Sequence, residues 1–124
     1  MGEKCKSCLI DYDRMSAILT EVQTAIEGGG PEKINKLEIP KILARDLADT
    51  GCIKEETSKS FIELLDKAMS TRDLLYRIHY LSEAEDITTE MLIQIAEVCQ
   101  EEGKSRGGFN SERAKEILGK SIGV

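Results

Sequence analysis

From Leu9 to Cys99 the apolar residues of this chain recur at steps of three and four. That spacing lines side chains along one stripe of an α-helix and does not fit the alternation of a half-buried strand. In the first segment the stripe is Leu9, Ile10, Met15, Ile18, Leu19, Val22, Ala25 and Ile26, running to Glu27. Gly28-Gly29-Gly30-Pro31 ends it, because three glycines lose too much backbone entropy and proline cannot continue a helix. Leu37, Ile39, Ile42, Leu43, Leu47 and Ala48 predict a second helix, from Lys36 or Pro40 to Thr50. Gly51 fits the left-handed residue that follows a helix C-terminus. Phe61, Leu64, Leu65, Ala68, Leu74, Leu75, Ile78 and Leu81 hold the period from Glu55 to Glu83 with no Gly or Pro. This predicts a third helix roughly 43 Å long, with Ser70-Thr71 its weakest point. A turn at Ala84–Asp86, with Asp86 or Thr88 as N-cap, leads into a fourth helix from Thr88 to Glu102. Met91, Leu92, Ile95, Ala96, Val98 and Cys99 are its inward set. Gly103 to Gly108 then reads as a flexible basic connector, and Asn110 caps a short helix through Leu118.

The expected architecture is all-α: an up-down four-helix bundle with a short C-terminal helix. Residues 1–8 form a flexible N-terminus carrying a Cys pair, 9–103 the bundle, and 104–124 the connector and short helix. The 124 residues suit one domain, and 40% apolar with 32% charged residues suits one core. Five aromatics and no Trp argue against a β-sandwich or barrel. Net charge −6 excludes a generic basic nucleic-acid binder. The segment Met1 to Cys8 is charged, without the apolar stretch of a signal peptide. Lys6 stands where a myristoylation pattern wants a small hydroxyl residue. No apolar run approaches the ~20 residues of a membrane span. These features predict a cytoplasmic protein with no membrane partner, its thiols reduced.

Cys5-Lys6-Ser7-Cys8 is the motif with most chemical content. Two thiols at this spacing can chelate one metal, because the chain turns back and aims both sulfurs inward. A complete site needs more ligands, and the remaining cysteines, Cys52 and Cys99, are single. If the first helix goes up and the second down, Cys52 lies at the same end as the pair. Cys99 does not: a climb of roughly 43 Å is followed by only ~18 Å of descent. Cys5, Cys8 and Cys52 are therefore the candidate metal ligands, for zinc or an iron–sulfur cluster. In the plainer reading Cys5 and Cys8 ride on a mobile terminus, Cys52 fills a turn and Cys99 is a core thiol. A redox pair is a third reading, weakened because no strand precedes the motif.

Other constellations are bland. His79, the single histidine, sits with Arg77 and Tyr80 on what reads as a polar helix face. A general base needs a positioned partner. No zinc-protease, P-loop or dinucleotide motif occurs; Gly-Lys-Ser at 103–105 has Val98 where a phosphate loop needs glycine. One histidine is too few for the paired Glu-x-x-His ligands of a di-iron bundle. Glu83-Ala84-Glu85-Asp86 and Glu101-Glu102 read as solvated helix ends. Residues 42–64 suggest helix-turn-helix, but Gly51 falls one place early and Glu55 and Glu56 would repel phosphates. No catalytic residue is assigned.

The stretch Ser58 to Leu75 resembles the third helix of a bacterial four-helix bundle family. That family includes the ribosomal-RNA intervening-sequence proteins and the accessory variability determinant of diversity-generating retroelements. Ser58, Lys59, Phe61, Leu65, Ala68, Ser70, Asp73 and Leu74 follow the family's order, and Ile39-Pro40 is similar to a step in its second helix. The resemblance implies a bundle that forms a ring-like oligomer and a non-enzymatic role beside nucleic-acid machinery. Net acidity argues against direct nucleic-acid binding. The leading functional expectation is thus a non-catalytic interaction or assembly protein, partnered by its own copies or another protein. Apolar residues around Leu75, Ile78 and Leu81 would be left to cover. The alternative is a small metal- or cluster-binding protein using the N-terminal Cys pair.

Overall fold

The computed structural model describes residues 2–105. Among them it is all-helical, with four α-helices and no strand. They are α1 (Glu3–Glu27), α2 (Glu38–Asp49), α3 (Glu55–Ser70) and α4 (Leu74–Ser105), with a 3-10 segment at Pro31–Leu37. The helix expected at Asn110–Leu118, and residues 106–124 as a whole, lie outside the described residues.

α1 starts six residues earlier than its apolar stripe suggests. Residues 3–8, expected as a flexible arm, are its first turns. Cys5 and Cys8 extend the buried face that Met15, Leu19, Val22 and Ile26 continue, so the two cysteines serve as the missing apolar positions. The helix ends at the glycines as expected, with the Gly29 amide donating to Ile26 and the Gly30 amide to Ala25. Pro31 does more than stop the chain. Its fixed φ and missing N–H suit a first helical position, and it opens the 3-10 segment.

The larger correction concerns helices three and four. The expected helix from Glu55 to Glu83 is broken at Thr71–Asp73, and the expected turn at Ala84–Asp86 is continuous helix. Thr71 is extended. The Ser70 hydroxyl donates to the Asp66 carbonyl at 2.7 Å, and the Asp73 amide donates to Thr71 Oγ1 at 3.2 Å. Asp73 Oδ1 accepts from the amides of Leu75 and Tyr76 at 2.9 and 3.2 Å, which makes Asp73 the N-cap of α4. Arg77 folds back onto the end of α3, its guanidinium donating to the carbonyls of Ala68 and Thr71. The helix end thus satisfies carbonyls that would otherwise lack partners. At the expected turn, Ala84 and Thr88 are buried and the acids between them face out.

Each helix packs on two neighbours: α1 on α2 and α4, and α3 on α2 and α4. Contacts within three of these pairs run in opposite chain order. Cys5 meets Cys99, while Gln23 Nε2 donates to the Leu81 carbonyl and the Glu85 carboxylate. Ser58 Oγ donates to the Ala44 carbonyl, while Lys41 pairs with Asp66. Arg77 reaches Ala68, while Gln94 Nε2 donates to Thr57 Oγ1. Between these helices lies a core whose largest buried members include Phe61, Met15, Leu19, Leu65, Met91 and Ile95. No buried side-chain polar atom among the described residues lacks a partner. Asp66, and then Glu38, hold the Lys41 ammonium above its ordinary pKa against partial desolvation. That contribution is full below the ordinary lysine pKa and disappears as pH rises through the raised one.

Asp73→Ala should lower stability by about 1 kcal/mol, the usual cost of a lost N-cap. Asp86→Ala, at the expected but absent turn, should stay within about 0.5 kcal/mol of the parent. Urea unfolding followed by circular dichroism checks both; the reverse ranking would place the break where the sequence suggests it.

Candidate functional site

The break at Thr71–Asp73 decides where the cysteines fall. A single helix from Glu55 to Glu83 would leave Cys99 stranded partway down its successor. With the turn moved forward, α4 starts at Leu74 and runs the full length of α1. Cys5 and Gln23 are eighteen residues apart, as are Leu81 and Cys99, so the two helices stay in register along this span. Cys99 therefore arrives opposite Cys5. The expectation that it lies far from the others is wrong for this reason.

All four cysteines sit at one end, joined as Cys5–Cys99 and Cys8–Cys52. The Cα–Cα separations are 4.9 and 5.7 Å, within the span a disulfide bridges. The first bond ties the start of α1 to the end of α4; the second ties it to the turn after α2. Cys5, Cys8 and Cys52 are buried and Cys99 is half-buried. The expectation of reduced thiols is thus replaced by two disulfides. The three candidate metal ligands, Cys5, Cys8 and Cys52, do come together, with Cys99 as a fourth member. In the disulfide form their sulfurs are paired with each other, and no group of three or more potential ligands is assembled among the described residues.

Local structure aims these residues. Gly51 has φ +78°, as its position after α2 predicts. The Gly51 amide donates to the Ala48 carbonyl and the Cys52 amide to the Leu47 carbonyl, at 3.0 and 2.8 Å. This pair of bonds is a Schellman closure, and it turns Cys52 back toward the core. Thr50 Oγ1 lies 3.2 Å from Cys52 Sγ.

α4 also caps its neighbours at this end. Glu102 Oε2 accepts from the Cys5 amide at 2.8 Å, and Oε1 from the Lys4 amide at 3.3 Å. A carboxylate at a helix N-terminus meets both unpaired amides and the positive end of the helix dipole. Gly2, the N-cap, is buried beneath that side chain, and a Cβ there would collide with Glu102. Gln94, also buried, does the same for α3: its Oε1 accepts from the Lys54 amide at 2.8 Å. Sequence reading missed both, because caps supplied from another helix leave no local signal. An open cleft of 620 Å³ lies beside the cysteines, lined in part by Lys4, Cys52, Lys54, Glu97 and Glu101.

Elsewhere the residues considered for chemistry are dispersed. His79 is exposed and 3.4 Å from Glu83, one turn along the same helix. Arg77 is engaged by the end of α3, and Tyr80 stacks near Tyr76 with centroids 6.3 Å apart. No helix among the described residues is long and apolar enough to cross a membrane. The chain matches no protein-family model, and neither curated proteins nor solved structures include a significant match.

The Cys8–Cys52 bond closes a loop of sequence separation 44. Chain-entropy loss in the unfolded state then makes it worth about 4 kcal/mol. The double variant Cys8→Ser/Cys52→Ser should unfold at correspondingly lower urea while remaining helical in buffer. Unchanged stability would show that the bond does not form.

Proposed function

We propose that the chain is an up-down four-helix bundle acting as a non-catalytic interaction and assembly protein, and that it associates with its own copies. The observation carrying this is the first turn of α4. By the α1–α4 register, Glu27 at the end of α1 stands opposite Arg77, so residues before Arg77 extend past α1. Those residues are Leu74, Leu75 and Tyr76, all exposed, with Leu75 at 78%. The apolar end anticipated from the sequence is accordingly narrower: Leu75 is uncovered, Ile78 is half-buried, and Leu81 is buried in the core. Three consecutive exposed apolar side chains at one helix end are costly in water and favour burial against a partner. Asp73 and His79 border the patch with Leu75 and Tyr76. One acid and one imidazole on the same patch suit a two-fold contact, in which each copy offers the other the complementary group.

The opposite-order contacts between neighbouring helices support the up-down arrangement. The Ser58–Leu74 motif now falls on α3 and the cap of α4, so membership of the intervening-sequence-like bundle family stays part of the proposal. Net charge −6 supports protein rather than nucleic acid as the direct partner. Light scattering behind size exclusion at high protein concentration should give a dimer or larger species. Leu75→Asp should shift it to monomer with helix content unchanged. A clean monomer of the parent across the concentration range would contradict the proposal.

A further inference from the structure

We propose that reduction of the two disulfides turns the cysteine end into a mononuclear Zn(II) site ligated by Cys5, Cys8, Cys52 and Cys99. Four-thiolate zinc is tetrahedral, with Zn–S near 2.3 Å, which sets sulfurs about 3.8 Å apart. The fold brings the four cysteines to one end of the molecule, linked in the spatial order Cys99, Cys5, Cys8, Cys52. The Cα–Cα separations across the two disulfides are 4.9 and 5.7 Å. Cys5 and Cys8 lie one turn apart on the buried face of α1, where side chains are neighbours. An ordinary disulfide holds its sulfurs about 2.05 Å apart, so reaching the tetrahedral spacing requires them to part by about 1.8 Å. A cubane iron–sulfur cluster holds its cysteine sulfurs much farther apart around a larger core, so this clustering favours a single ion.

Both cations and carboxylates surround the cluster. Cys5 is the third residue of α1, in the first turn, where the positive end of the helix dipole favours negative charge. Lys4 Nζ approaches within 3.1 Å of where a Cβ on Gly51 would stand, placing an ammonium beside the Cys52 turn. Lys54 lines the same cleft. Two cations near the site oppose the double negative charge of a zinc tetrathiolate. The carboxylates of Glu97, Glu101 and Glu102 line the same cleft and act against them, with Glu102 accepting from the Lys4 and Cys5 amides. The Thr50 hydroxyl donates to the Asp46 carbonyl at 2.8 Å and keeps its oxygen 3.2 Å from Cys52 Sγ. The cleft reaches Cys52 and gives the ion an entry path.

Each disulfide takes two electrons and two protons from a small-molecule dithiol, which is oxidised to its own disulfide. The protein gains two thiols per bond, four in all. Zn(II) then binds four thiolates and releases four protons to solvent. Metal uptake and disulfide formation compete for the same sulfurs, so metal content reports the redox state.

The test uses the full chain, reduced anaerobically with a non-thiol phosphine and then freed of reductant. Titration with Zn(II) should give one ion per chain by native mass spectrometry. Thiols reactive toward a disulfide reagent should fall from four to none, and a chelator should restore them. Co(II) should give the absorption of a tetrahedral thiolate site, and the oxidised chain should give no such signal. Cys99→Ser should weaken metal binding at least ~10-fold, the scale on which even a lost outer-shell partner registers. Four reactive thiols at saturating Zn(II), or Co(II) absorption that Cys99→Ser leaves unchanged, would overturn the proposal. Loss of helix on reduction that Zn(II) does not restore would overturn it as well.

Discussion

The pairing of α1 with α4 is the constraint on which the rest depends. Gln23 meets Leu81 at one level and Cys5 meets Cys99 at another, with equal lengths of helix between. Once this register is set, Glu102 reaches the Lys4 and Cys5 amides at the start of α1, and the packing of α4 on α3 brings Gln94 to the Lys54 amide before α3. The same register leaves Leu74–Tyr76 past the end of α1. The Cys5–Cys99 bond, the Glu102 cap and the exposed apolar turn are therefore consequences of one alignment. That alignment in turn requires the chain to reverse at Thr71–Asp73.

Much of this was legible, and the part that was not has a definite cause. Apolar spacing finds helices but cannot see a break that preserves its phase. Ala68 and Leu75 are seven residues apart, two helical turns, so the stripe passes through Thr71–Asp73 without interruption. What marks the break is capping chemistry: Ser70, Thr71 and Asp73 all carry oxygens that bond nearby backbone. The acids of Glu83–Asp86 gave a false turn because a solvated face of a long helix has the same composition as a loop. Gly51 was readable because only a few residues tolerate its φ, and the turn needed one of them. Cys5 and Cys8 were underestimated. They look like a polar, charged terminus in a row, yet they sit at positions where an apolar residue would continue the α1 stripe.

We propose two alternative states for the cysteine end on one backbone. Oxidised, it is a pair of covalent ties that hold three segments together and restrict the unfolded chain. Reduced, it is a compact set of thiols at a helix N-terminus with lysines nearby. The Cys5–Cys99 bond holds α1 to α4 where their register is set. The opposite end is chemically separate: an apolar turn bordered by Asp73 and His79, far along α4 from Cys99. On the two proposals above, one end would carry association while the other would respond to oxidant or metal.

The connectivity of the cysteines tests the account most directly, because only a chain that reverses at Thr71–Asp73 brings Cys99 back to Cys5. Trypsin cleaves after Lys6 and so separates Cys5 from Cys8. Non-reducing digestion of oxidised protein, with peptide mass spectrometry, should join the Cys5 peptide to that of Cys99 and the Cys8 peptide to that of Cys52. A Cys5–Cys52 or Cys5–Cys8 bond with Cys99 left as a free thiol would contradict the α1–α4 register and the fold built on it.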